Sequence, residues 1–190
     1  MGNAEHLPFK GACYADGICG KKIAIVGYSH HHDSPSDDGE FTRLTIRQVI
    51  SGTWKPRFFT VIRNAFGYSS HAEFWNRVLF FNYIPKMIGP ASDRYKWASD
   101  QQVTRANERF LEILGEYAPD CVFVFTRKSR LGALDLGFSP MAAPLQGFVT
   151  ATLTNPVRSE IYRLRHPQGA DGKHLRAAIA VALPCIQHSG

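Results

Sequence analysis

Cysteine is scarce in this chain, with four in 190 residues, and no two of them form a CxxC pair. That spacing excludes the usual zinc ribbons and fingers. Cys13 and Cys19 could share a metal or a disulfide, but two ligands do not close a tetrahedral site. Long hydrophobic runs are missing too. No apolar stretch approaches membrane-spanning length, and the amino terminus lacks the charged-then-apolar pattern of a secretion signal. A soluble, cytoplasmic protein of a reducing compartment, with no membrane partner, is the expectation. Acidic residues are outnumbered, 16 against 22 Lys and Arg, which gives a net charge of +6 and a pI near 9.3. Such a bias favours anionic partners without naming one. Neither an internal repeat nor a second domain is visible, and no G-x-S-x-G elbow surrounds Ser29.

What remains is ordinary globular composition, 44% hydrophobic and 20% charged, in a chain long enough to bury one core without staples. A single domain over residues 1–190 is expected, monomeric, with residues 1–20, which carry Gly2, Pro8, Gly11, Gly17 and Gly20, as an irregular leader. Short apolar runs read as strands: Lys22 to Ser29, Val78 to Ile84, Cys121 to Phe125, and a fourth at either Phe148 to Leu153 or Glu160 to Arg165. Helices fall between them. Phe41, Leu44, Ile46, Val49 and Ile50 make an apolar face that Gly52 ends. Two shorter pieces are predicted at Arg57 to Ala65 and His71 to Arg77, a short one at Ser129 to Leu134, and a last one from Gly172 to Leu183. The strongest runs from Asp100 to Tyr117, behind the capping-box pair Ser99 and Gln102 and before Pro119. The segment Gly137 to Gly147 reads as loop. Strands of interior type alternating with helices predict a three-layer α/β/α sandwich around a central, mainly parallel four-stranded sheet.

In such a sheet the ligand crevice lies beyond the carboxyl ends of the strands, and here those ends carry the polar groups. Strand one delivers Gly27, Tyr28, Ser29 and the run His30, His31, His32, Asp33. Strand two delivers Asn82, and the last strand is followed by His166 and Pro167. An Asn within Leu79, Phe80, Phe81 and Tyr83 is costly to bury unless its amide is matched. It either satisfies local backbone or reads the edge of a heterocycle. Three adjacent histidines in an extended loop point in different directions, so one metal shared among them is not expected. Pro167 holds His166 extended, which either ends a strand or aims an imidazole into a pocket. Ser29, a histidine and Asp33 could also be cast as a hydrolase triad.

These points, in this order, resemble the uracil-DNA glycosylase superfamily from Lys22 to about Ala178. The first motif reads Gly27-Tyr28-Ser29-His30-His31, the second Leu79-Phe80-Phe81-Asn82, the third Pro119-Asp120-Cys121-Val122-Phe123-Val124-Phe125, and the last His166-Pro167-Gln168-Gly169. Phe41 sits where the family places a base-stacking aromatic. The resemblance implies an enzyme that flips uracil, or another deaminated base, out of DNA and hydrolyses its N-glycosidic bond, with no cofactor, metal or iron–sulfur cluster. Phe41 would stack on the base, Asn82 would read O4 and N3–H, and His166 would donate to O2 with help from main-chain N–H groups at Tyr28 and Ser29. Gln168 would wedge into the gap left by the base, and Lys173, His174, Arg176, Arg127, Lys128 and Arg130 could meet phosphates.

The sequence departs from the family at two places. Ser29 stands where the best-known members carry an Asp that activates water, so orientation by a hydroxyl, by Asp33 or by a histidine must suffice. His31 falls where some members place a Tyr that excludes the methyl group of thymine. Two rivals stand beside the glycosylase: a nucleic-acid-binding module of the same fold that turns over poorly, and a serine-dependent hydrolase of small molecules.

Overall fold

The computed structural model describes residues 4–30, 38–90, 92, 97–126 and 157–186, and, as backbone, 139–140, 149–153 and 187–188. Seven strands form one sheet in the order β1-β3-β2-β4-β7-β6-β5. They are β1 (Phe9–Lys10), β2 (Ile23–Gly27), β3 (Val78–Asn82), β4 (Cys121–Val124), β5 (Ser139–Pro140), β6 (Val149–Leu153) and β7 (Ser159–Arg163). The central four, β3, β2, β4 and β7, are parallel, and β1, β6 and β5 add antiparallel edges. Every residue of β2, β3 and β4 is buried, which is why these strands read as unbroken apolar runs.

Helices cover both faces. Alternate strand residues Ile23, Ile25, Phe80 and Phe123 pack under α1 (Phe41–Ser51), α2 (Arg57–Ala65), α3 (His71–Trp75) and α5 (Gly172–Ala182). The intervening residues Ala24, Val26, Phe81 and Val122 face α4 (Asp100–Tyr117). The result is an α/β three-layer sandwich, as the pattern of runs predicts. From β2 the chain steps to β3 on one side, then returns through α4 to β4 on the other. In open sheets of this kind such a reversal, at the carboxyl ends of β2 and β4, is where ligand crevices form.

Local signals set the helix limits. Ser99 accepts from the Gln102 N–H, the Gln102 side chain accepts from the Ser99 N–H, and the full capping box starts α4 where the sequence places it. Gly52, at φ 76°, takes the left-handed turn that closes α1. The spans of α2 and α4 match the sequence reading residue for residue, whereas the third helix stops at Trp75, short of Arg77.

Several expectations need correction. The sheet has seven strands, the extra ones being β1 and β5 at the edges and β6 beside β7. Both candidates for the fourth strand are strands: β7 joins the parallel set and β6 runs antiparallel to it. The leader is not wholly irregular, since Phe9 and Lys10 pair with Phe80 and Leu79. Glu5 then grips α4 through a two-point ion pair to Arg105, at 2.7 and 2.9 Å, and buried Arg109 donates to the His6 carbonyl. Ser139 and Pro140 form a short strand within the segment read as loop. The remainder of that segment and the short helix at 129–134 lie outside the described residues.

Cys19 is bonded not to Cys13 but to Cys185, a disulfide that ties the leader to the segment after α5. Cys13 is a free thiol. Cys121 is the buried free thiol that its apolar run predicts, and burial pushes it up to about 12.

Candidate functional site

Gly27 and Asn82 close the central strands in register, side by side, on the face covered by α2. The pairing continues past them. Tyr83 N–H donates to the Gly27 carbonyl and Ile84 N–H to the Tyr28 carbonyl, so this edge of the sheet is rigid. Asn82 is 5% exposed, and its Nδ2 has no hydrogen-bond partner among the described residues. A buried amide donor left without an acceptor costs about 1–3 kcal/mol, so its persistence marks a place built to meet something. Gly27 is required beside it. A Cβ at that position would lie closer than 3.0 Å to Asn82 Oδ1 and 3.6 Å from Phe58 Cζ.

Phe58 is the residue that sequence reasoning missed. It lies on α2 next to the buried stripe of Phe59, Ile62 and Ala65, half-exposed over the strand ends. Its ring packs edge-on to Phe125 at 6.5 Å and against the His166 imidazole at 5.2 Å. Two consecutive Phe residues on an amphipathic helix were the available signal, because only one of them can sit on the core stripe.

His166 follows β7, whose pairing extends through the Leu164 N–H to the Val124 carbonyl. Pro167 is buried and anchors a single turn of 3₁₀ helix, Pro167–Gly169. Within that turn His166 Nδ1 accepts from the Gln168 N–H at 3.3 Å. An accepting Nδ1 leaves the ring proton on Nε2, so the second nitrogen is a donor. Gln168 is exposed on the same turn.

Tyr28 points elsewhere. Its ring is buried on the α4 face, where the hydroxyl accepts from the Ala98 N–H at 3.0 Å. Ser29 is half-buried two residues beyond β2. His30 Nε2 lies 2.9 Å from Thr42 Oγ1, and its ring meets Phe41 edge-on at 4.8 Å. The His6 ring joins this pair, 5.2 Å from His30 and 6.0 Å from Phe41, and the main-chain N–H of His6 donates to the Pro85 carbonyl. Phe41 therefore belongs to a second aromatic group off the ends of β2 and β3, while Phe58 fills the place between Gly27 and His166. His31, His32, Asp33, Arg127, Lys128 and Arg130 lie outside the described residues. Among the described residues, no three His, Cys, Asp or Glu gather as a metal site.

Lys173 and Arg176 are exposed on the first turns of α5, beside an open cleft of about 350 Å³ between α5 and α2. Arg57, the residue before Phe58, contributes a third cation to it.

The fold and these side chains define an α/β domain with polar and aromatic side chains gathered at the carboxyl ends of its parallel strands. No helix among the described residues is long and apolar enough to cross a membrane. No family model matches the sequence, and no curated protein does. Among solved structures, the chain is similar to a domain of unknown function (DUF1537) from Bordetella bronchiseptica, a domain-swapped dimer with bound citrate. The identity is 14%, the TM-score 0.39, and the match covers 84% of this chain and 41% of that one, so this chain spans less than half of that structure's length.

Proposed function

We propose that the protein is a DNA glycosylase that takes uracil, or another deaminated base, out of the strand and hydrolyses its N-glycosidic bond. The observation that carries this reading is the unpartnered Nδ2 of Asn82, buried beside Gly27 at the strand ends. Uracil presents a carbonyl, O4, next to a donor, N3–H. One amide can serve both, and a carboxylate cannot. Phe58, beside Gly27 and His166, supplies the aromatic face, while Phe41 is held in the separate group with His6 and His30.

The chemistry follows from the donor at His166. As the bond from C1′ to the base breaks, its electron pair moves into the pyrimidine and charge builds on O2. A neutral imidazole donating from Nε2 stabilises that charge without reorganising. The sugar becomes an oxocarbenium ion, water adds at C1′, and its proton passes to solvent. Ser29 orients that water, since a hydroxyl is too weak a base to deprotonate it. Acting on DNA, the protein would work in the cytoplasm as a monomer. The Cys19–Cys185 link weighs against that address, because disulfides seldom persist there.

The test is abasic-site formation on end-labelled oligonucleotides carrying uracil, hypoxanthine, xanthine or thymine, revealed by alkaline cleavage. Uracil should be excised by the wild type and not by Asn82→Asp. Intact strands with every base, or equal rates for the variant, would overturn the reading. Ser29 in place of the family's Asp favours one alternative, a binding module. It predicts tight retention of the uracil strand without cleavage.

A further inference from the structure

We propose that the cleft between α2 and α5 is a phosphate subsite, holding one backbone phosphodiester of a nucleic-acid strand next to the base crevice. The identity of the strand as DNA rests on the glycosylase reading; the phosphate chemistry does not. The cleft, about 350 Å³, is within the size range of small-ligand sites. Arg57, Lys173 and Arg176 line it, with Val61, Ala65 and Ala170 as apolar walls, and none of its described lining residues is acidic. Three like charges around one hollow repel one another unless an anion sits among them.

Arg176 is already fixed for the task, since its guanidinium donates to the Asn64 carbonyl at 3.1 Å and its remaining N–H groups form a planar fork suited to phosphate oxygens. Asp171, the nearest carboxylate in sequence, is taken up by its own turn. It accepts from the Lys173 N–H at 3.0 Å and pairs with His174 at 3.3 Å. The described lining holds no aromatic ring, so the cleft fits a phosphate and not a base. Its position links it to the crevice from both sides. Arg57 precedes Phe58, whose ring touches His166, and the turn that begins at His166 runs directly into α5.

The experiment measures binding of an undamaged oligothymidine by fluorescence anisotropy from about 50 to about 200 mM salt, so the readout does not depend on base excision. The double variant Arg57→Gln, Arg176→Gln should bind at least about tenfold more weakly, and its log–log salt slope should flatten by about 0.7, the decrement for one phosphate no longer neutralised. Arg57→Lys should recover most of the affinity. Lys10→Gln, which removes a single charge on the edge strand β1, away from the cleft, should leave the slope unchanged. Unaltered slope and affinity in the double variant, with a wild-type melting curve, would overturn the proposal. So would a thymidine monophosphate that binds more tightly than the strand, or an equal loss from Lys10→Gln. A wild type that binds the strand through these cations but excises no base would sink the glycosylase reading alone.

Discussion

Gly27→Ala tests the crevice at its tightest point. The new methyl group would lie closer than 3.0 Å to Asn82 Oδ1, a separation that Cβ atoms essentially never show. The neighbour that must yield is the short, buried Asn82 side chain, held at the end of a fully buried strand. Phe58 Cζ, 3.6 Å from the same point, is in ordinary contact and blocks retreat in that direction. Overpacking of this kind typically costs about 1–3 kcal/mol of stability. For a chain of this size that lowers Tm by roughly 2–4 °C per kcal/mol. The functional cost should be larger. A hydrogen-bonding group displaced by close to 1 Å from its productive position loses on the order of 100-fold in rate. Single-turnover excision at saturating enzyme, on a uracil oligonucleotide, isolates this effect from binding. A folded Gly27→Ala protein that excises within about threefold of wild type would show that Asn82 does not read the base, since 100-fold is the loss that misplacement implies.

Other perturbations are as specific. His166→Ala should slow single-turnover excision by about 100- to 1,000-fold while affinity for DNA changes far less, and equal losses in both would make His166 a binding group only. Opening the Cys19–Cys185 bridge, which spans 166 residues, should cost up to about 5 kcal/mol in the chain-entropy account. Melting with and without reductant should then differ by roughly 10–20 °C, and thiol titration of the unfolded, unreduced protein should find only Cys13 and Cys121. Coincident melting curves would refute the link. Glu5 is held below the usual carboxylate range, first by the hydrogen bond from Arg105. A depressed folded-state value adds stability above the reference 4.5 and loses it as pH falls through the folded value. Glu5→Gln should therefore lower stability at neutral pH, by no more than about 1 kcal/mol for so exposed a pair. It should also flatten the loss of stability below pH 4.5, and an unchanged acid limb would place the effect elsewhere.

The parallel core was legible because burial on both faces leaves a plain mark, an apolar run with no alternation. The limits of α4 were legible because its capping box and Pro119 act within a few residues of the chain. Asn82 and His166 could be singled out for the same local reason, each being a polar group at the end of an apolar run. What escaped depends on partners far away in sequence. Phe9 and Lys10 carry no strand signal of their own and become β1 only because β3 offers them an edge. Cys19 finds Cys185 across nearly the whole chain, a pairing that spacing cannot reveal. Phe58 carries no local mark beside Phe59, and only the packing of α2 against the turn after β7 brings its ring to His166.

The two residues of β1 have a protective consequence out of proportion to their length. They occupy the outer side of β3, whose five residues are all buried. A version of the chain trimmed after Lys10 would bare a row of unsatisfied main-chain groups on an oily ribbon, an invitation for a second molecule to zip on. Such a trimmed protein should precipitate on concentration rather than merely melt sooner.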